Sequence, residues 1–320
     1  LVFERGGARM AVGLVGGRPS EVKEGGPSLP EGLEARVNPL GRSPGQTIAF
    51  PLGKFGPGQS VVKFGYILFA PSVEREEEWV QRLTTDNFGM LEAARTAWQK
   101  RLSAMAEVNT ADPRVDQFLK AALYIVLAQR SRGGAFSPMH GYTYLWVRDS
   151  NGPVKLLSAL GDTSDVGDHL EYHFRACARE ARIGNNAALD LDLPQSVVQP
   201  DWGKVPVEPA EVPSFVILQH YWYYLSSGDL TLVKWHWPML RRCLLGQAVS
   251  ERGLLPFHGD ETYRFPGYEL FRAGETVTDW VCLETMSADS AFEYVAAAEA
   301  MAKLAAAVDK AEEAAEYRSL

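Results

Sequence analysis

Eight consecutive residues, Tyr142-Thr143-Tyr144-Leu145-Trp146-Val147-Arg148-Asp149, carry two tyrosines, a tryptophan, a guanidinium and a carboxylate. Aromatic rings offer flat apolar faces to the C–H groups of a sugar. A charged pair offers strong hydrogen bonds to its hydroxyls. The combination suits a neutral, hydroxyl-rich ligand. The competing reading is an Arg148–Asp149 ion pair buried under an aromatic layer, since perturbed charge pairs also serve structure. A second stretch, Phe257-His258-Gly259-Asp260-Glu261-Thr262-Tyr263, sets two carboxylates side by side among aromatic groups. A carboxyl whose pKa is raised by burial or by a neighbouring carboxylate keeps a proton near neutral pH and can act as a general acid. Glu261 is the expected acid, with His258, Asp260 and Tyr263 around it; the alternative is an exposed turn.

Other residues of these types are weighed the same way. Trp202, in Gln199-Pro200-Asp201-Trp202-Gly203, sits in a Gly/Pro loop and reads as a sugar platform, whereas Trp222, Trp235 and Trp237 lie in helical patterns and read as core. Glu284 is a second candidate acid, against the reading that it caps the next helix or pairs with an Arg. Glu208 and Glu211 flank Pro209 and read as acids favoured by a helix N-terminus. His169 and His173 are four apart, a spacing that could bind a metal, but no third ligand is evident, and no CxxC, HExxH, GxGxxG or P-loop spacing occurs. No metal and no cofactor are expected.

Positioning these groups requires a scaffold, and 320 residues with 46% hydrophobic content allow two domains with sizeable cores. The net charge of −8 and the absence of a basic cluster argue against nucleic acid or an anionic membrane as partner. No apolar run reaches the roughly 18 residues of a membrane helix. Cys177, Cys243 and Cys282 are few, odd in number and dispersed, which points to a reducing, cytoplasmic compartment rather than a secreted disulfide scaffold. The chain opens without Met inside a strand-like run, so any signal peptide lies before residue 1. The composition is silent on oligomeric state.

Residues 1–72 alternate short apolar runs with Gly/Pro turns, the pattern of part of an antiparallel β-sandwich. Residues 73–107 read as a helical linker, with Leu91, Ala94, Trp98 and Leu102 at helical spacing. From 108 to 320 the chain is helical. Asp112-Pro113 opens a first helix, and Gly133, Gly161, Gly184, Gly228 and Gly253 mark later ends. Thr163 or Ser164 is expected to cap the third helix. Ser290-Ala291-Phe292-Glu293 and Asp309-Lys310-Ala311-Glu312 read as capping boxes opening the last two. The Ala296, Ala297, Ala300 and Ala306 face allows close packing. The links alternate long and short: 134–149, 185–210 and 254–286 are long, and the others are Gly-Asp or a bare cap. Helices joined by short links are antiparallel neighbours, so the alternation gathers the long links at one end, where binding and catalysis usually sit.

This organisation resembles the (α/α)6-barrel glycoside hydrolases: α+β multidomain proteins with a β-sandwich, a helical linker and a toroid of paired helices. The pattern is similar to family 15, the glucoamylases and glucodextranases, with features of families 65 and 63. The residues carrying the likeness are Trp146-Val147-Arg148-Asp149, matching the family's W-x-R-D, and the carboxylate motif after the fifth helix. The motif departs from the W-E-E of family 15: Gly259-Asp260-Glu261-Thr262-Tyr263 is more like the G-x-D-E-Y of family 65, many of whose members are phosphorylases. The resemblance implies that Arg148 and Asp149 hydrogen-bond the sugar where the bond is cut and that Glu261 is the general acid. It places the catalytic base in a loop beyond Leu320.

The expected function is therefore an inverting, exo-acting glycosidase for α-glucosidic bonds of an oligosaccharide or polysaccharide. Its site comprises Tyr144, Trp146, Arg148, Asp149, Trp202, His258, Asp260, Glu261 and Tyr263. A glycoside phosphorylase on the same scaffold and a non-catalytic carbohydrate-binding protein are the alternatives.

Overall fold

A computed structural model describes residues 2–5, 8–14, 21–24, 46–49, 54, 56–60, 64–70, 72–138, 144–189, 193, 196–207, 211–247, 249–251, 253–256 and 286–320. The chain divides into two compact units, Leu1–Leu102 and Ser103–Leu320. It is mostly helical, with small sheets.

In the first unit, β1 (Val2–Arg5), β2 (Ala8–Leu14) and β5 (Gly65–Ala70) form an antiparallel sheet in the order β1-β2-β5, and β3 (Glu21–Glu24) pairs antiparallel with β4 (Gln46–Ala49). Along β5 exposure alternates, with Tyr66, Leu68 and Ala70 turned inward and Ile67 and Phe69 outward, as the two-residue period of a half-buried strand requires. The expected linker is two helices, α1 (Val73–Thr85) and α2 (Asn87–Leu102), and both belong to this unit. Ser72 caps α1 by accepting from Arg75 N at 3.3 Å. Asp86 breaks the run: it ends α1, and its carboxylate accepts from Gly89 N at 3.0 Å to start α2. A Cβ at position 89 would lie 2.2 Å from that carboxylate, so any larger residue there requires the Asp86 side chain to shift.

The second unit holds α3 (Pro113–Ala128), α4 (Val147–Leu160), α5 (Thr163–Glu180), α6 (Val212–Ser227), α7 (Thr231–Leu245), α8 (Ala288–Ala307) and α9 (Ala311–Arg318). Asp112 caps α3 as expected, accepting from Arg114 N, with Pro113 at the first helical position. Gly161 and Gly228 end α4 and α6 in the left-handed region, at φ 84° and 68°, where glycine has no steric penalty. Three expectations about helix starts are corrected. Asp162, not Thr163 or Ser164, caps α5, because its carboxylate reaches Asp165 N. The capping box at Ser290 does not form, because α8 already begins at Ala288 and buries Ser290 inside its first turn. Asp309 does not cap α9, because its own φ of 63° places it in the turn that leaves α8, and Lys310 precedes the helix.

Side-chain bonds fix the helix directions. Gln219 donates to Asn151 Oδ1 at 2.8 Å and Ser226 donates to Ser158 O at 2.6 Å, so α4 and α6 climb together and are parallel. Glu293 lies near Glu211, and Lys303 sits 5.6 Å over the Tyr221 ring, so α8 is parallel to α6. The α7 helix runs the other way along α6, since His236 bonds His220 while Gln247 bonds Ser214. The α5 helix is likewise antiparallel to α6: Gly167 lies against Tyr223, and His169 against Gln219. Thus α4, α6 and α8 share one direction and pack in sequence, with α5 and α7 antiparallel beside them. The core between them is fully buried at Leu145, Phe174, Ile217, Leu240, Leu244, Met301 and Leu304. Burying each large side chain of this kind contributes about 1.5–3 kcal/mol. The links at 129–146, 181–211 and 246–287 all enter α4, α6 and α8 at their N-terminal ends. The gathering of long links at one end is therefore observed.

Candidate functional site

The site is built where the three parallel helices begin. Tyr144–Trp146 is a short strand, β6, paired antiparallel with β7 (Asn186–Ala188), and Val147 N donates to Asn185 O at 2.8 Å. Strand alternation buries Leu145 and leaves Tyr144 45% exposed on the other face. The strand runs directly into α4, so Arg148 and Asp149 occupy its first turn. Gln219, fully buried on α6, locks that turn: its amide donates to Val147 O at 2.9 Å, Ser150 Oγ at 3.1 Å and Asn151 Oδ1 at 2.8 Å. Two N–H groups are shared among three acceptors.

Arg148 does not form the ion pair with Asp149 that the competing reading required. Its guanidinium forms an ion pair with Glu211, the residue before α6, and both side chains are largely covered. Asp149 remains exposed. The reason is geometric, since adjacent residues in a helical turn point 100° apart and do not face each other. The acid that read as a helix N-terminal residue is thus the partner of the arginine.

Glu293, in the second turn of α8, completes the cluster. Burial pushes its carboxyl up to about 7, aided by the nearby Glu211 and Asp289 charges and opposed by Arg148. Among the described residues, its Oε2 atom is buried without a hydrogen bond. A carboxyl poised near 7 can give or take a proton at neutral pH. By its sequence pattern Glu293 reads as the last residue of a capping box. The signal that identifies it is its flank: Ser290, Tyr294 and Ala297, at i−3, i+1 and i+4, are all buried, so this carboxylate stands on or beside the buried face of its helix.

His258, Asp260, Glu261, Tyr263 and the second acid Glu284 lie outside the described residues, as does Glu208. The ends of the link that carries them are described. Leu255 pairs with Ser287 and Pro256 with Met286, so 257–285 leaves and returns at the start of α8. Trp202 departs from the platform expectation. It is only 4% exposed, packs 5.5 Å from the Phe174 ring and donates its indole N–H to Gln199 at 3.0 Å. It forms the wall of a cleft of about 490 Å³ with Pro238, Arg241, Arg242 and Leu245, rather than an open face.

His169 and His173 do not converge on a metal position. His169 Nδ1 accepts from Phe136 N at 3.1 Å, and His173 Nε2 lies 3.3 Å from Gly184 O and 3.4 Å from Cys177 Sγ. Burial drives their pKa values to about 3 and about 4. Among the described residues no group of three or more His, Cys, Asp or Glu could hold a metal ion, and no helix is long and apolar enough to cross a membrane. Comparisons with protein-family models, curated proteins and solved structures find no match.

Proposed function

We propose that this chain carries the substrate-holding part of a glycoside hydrolase, an inverting enzyme that removes glucose units from the ends of α-linked oligo- or polysaccharides. The reading includes an (α/α)6 toroid to which α3–α9 contribute, preceded by part of a β-sandwich. One observation carries it. Arg148 with Glu211, the exposed Asp149 and the high-pKa Glu293 meet at the common N-terminal end of α4, α6 and α8, next to exposed Tyr144. A guanidinium held by a carboxylate, a free carboxylate and an aromatic ring at one rim are the groups that recognise hydroxyls and sugar faces.

In this mechanism Arg148 and Asp149 hold the hydroxyls of the terminal sugar, and Tyr144 and Trp146 lie along its apolar face. Glu261, from the link that returns to α8, protonates the leaving oxygen, with His258, Asp260 and Tyr263 around it. A second carboxylate then activates water on the opposite side of the ring. The test is to incubate the full-length protein with maltooligosaccharides, with and without inorganic phosphate, and follow the released sugar. Free glucose released in its β form, independent of phosphate, supports the reading. Sugar phosphate would make the protein a phosphorylase. Binding without release would make it a lectin-like module, and neither binding nor release would overturn the proposal.

A further inference from the structure

Two buried histidines and a part-buried glutamate form a continuous chain across three helices. His220 Nδ1 lies 2.7 Å from Val216 O, His220 Nε2 lies 2.8 Å from His236 Nδ1, and His236 Nε2 lies 2.9 Å from Glu171 Oε2. Both imidazoles are 0% exposed. The chain joins α5 through Glu171, α6 through His220 and α7 through His236.

The protons in this chain can be counted. A carbonyl oxygen only accepts, so His220 Nδ1 must carry a hydrogen for the bond to Val216. The 2.8 Å bond between the two rings needs one more, and the 2.9 Å bond to Glu171 needs a third. Two neutral histidines and a carboxylate hold only two. The count does not depend on which tautomer is drawn: shifting a proton from one ring to the other, or onto the carboxylate, still leaves three bonds needing three hydrogens.

We infer that Glu171, His236 and His220 hold three protons between them, with His236 a buried imidazolium, forming a proton-dependent clamp across α5, α6 and α7. Two contacts locate the charge. Arg175 Nε lies 3.0 Å from the other oxygen of Glu171, which keeps that carboxyl ionised. The Phe174 ring stacks on His236 at 3.9 Å and 16°, and an aromatic face attracts a cation. Burial pulls His236 below its ordinary value, while Glu171 pulls the other way. The bond count decides between them, because without the third proton two lone pairs would meet at hydrogen-bond distance on an imidazole that is itself fully buried. The other titratable groups acting on the chain are His169 and His173 from α5, which stay neutral, and Arg175.

The clamp therefore closes over a window of pH. Losing the third proton sets acceptor against acceptor, and adding a fourth sets donor against donor. The inference is independent of the proposed substrate. Its test is a two-bond 1H–15N spectrum of the full chain with 15N-labelled histidine at about pH 7.5, where ordinary histidines are neutral. One ring carrying both N–H hydrogens is expected. In Glu171→Gln the amide supplies the missing hydrogen to His236, so the doubly protonated ring should vanish. A wild-type spectrum in which every histidine is singly protonated would overturn the buried imidazolium at His236, whether or not the variant folds. Survival of the doubly protonated ring in a folded Glu171→Gln variant would overturn the role of Glu171.

Discussion

Arg148 in the first turn of α4 is ion-paired with Glu211, the residue before α6, across 63 residues of sequence. The pair fastens two parallel helix N-termini at the rim where the long links gather. It is partly covered, with side-chain exposures of 23% and 12%, so it falls between a surface pair and a buried one. Replacing Glu211 by Gln removes this carboxylate's charge from the guanidinium. The expected cost is about 1–3 kcal/mol by urea denaturation, below the full penalty of a buried pair because solvent screens part of it. The same variant removes a like charge from Glu293, whose carboxyl should then titrate lower in a 13C spectrum. A stability change under about 0.3 kcal/mol would show that the pair contributes nothing.

The raised pKa of Glu293 fixes a sign. Its folded value of about 7 exceeds the ordinary glutamate value of 4.5, so the folded protein binds this proton more tightly than the unfolded chain does. That contribution is complete below about 4.5 and is lost as pH rises through about 7. Glu293→Gln keeps a neutral side chain at every pH. Its stability relative to wild type should therefore climb between about pH 5 and pH 8. A flat difference across that range would place Glu293 in water.

The buried histidines act in the opposite direction. His169 and His173 titrate at about 3 and about 4, and His220 is also driven well below its ordinary value, all chiefly by burial. The unfolded chain binds these protons more readily, so their contribution is complete above about pH 6.5 and is lost as pH falls from there toward the folded values. The urea midpoint should drop steadily below about pH 6.5. The His169→Gln variant should show a shallower slope if it folds.

Gln219 joins Val147, Ser150 and Asn151 of α4 to α6. In Gln219→Leu these acceptors lose the amide; Val147 O keeps the Ser150 hydroxyl at 2.8 Å, so the cost falls chiefly on part-buried Asn151 and is expected at about 1 kcal/mol. Because the same bonds orient the turn bearing Arg148, oligosaccharide binding should weaken as well. Full binding in a destabilised variant would confine Gln219 to structure.

Asp149 is exposed, so Asp149→Asn should alter stability by no more than about 0.5 kcal/mol, while sugar release falls sharply if its carboxylate holds a hydroxyl. Glu261→Gln should lower turnover about 10²–10⁴-fold, the usual worth of a general acid. Turnover within a few-fold of wild type would remove Glu261 from that role.

Much of the helical frame is legible in the chain because its determinants are local. Asp112-Pro113 starts α3, Gly161 and Gly228 end α4 and α6, and the alternating links place three loops at one end, all through constraints acting within a few residues. Helix starts at Ala288 and Asp162 are less legible, since several Ser, Thr and Asp residues there could each cap and packing selects among them. Tyr144, Trp146, Arg148 and Asp149 arrive together at the start of a helix because they are consecutive or nearly so. That Arg148 turns to Glu211 rather than to Asp149, that Trp202 packs inward, and that Glu293 loses enough water to hold its proton cannot be read along the chain. Each depends on which helix face meets which neighbour, and that is settled by packing between residues far apart in the chain.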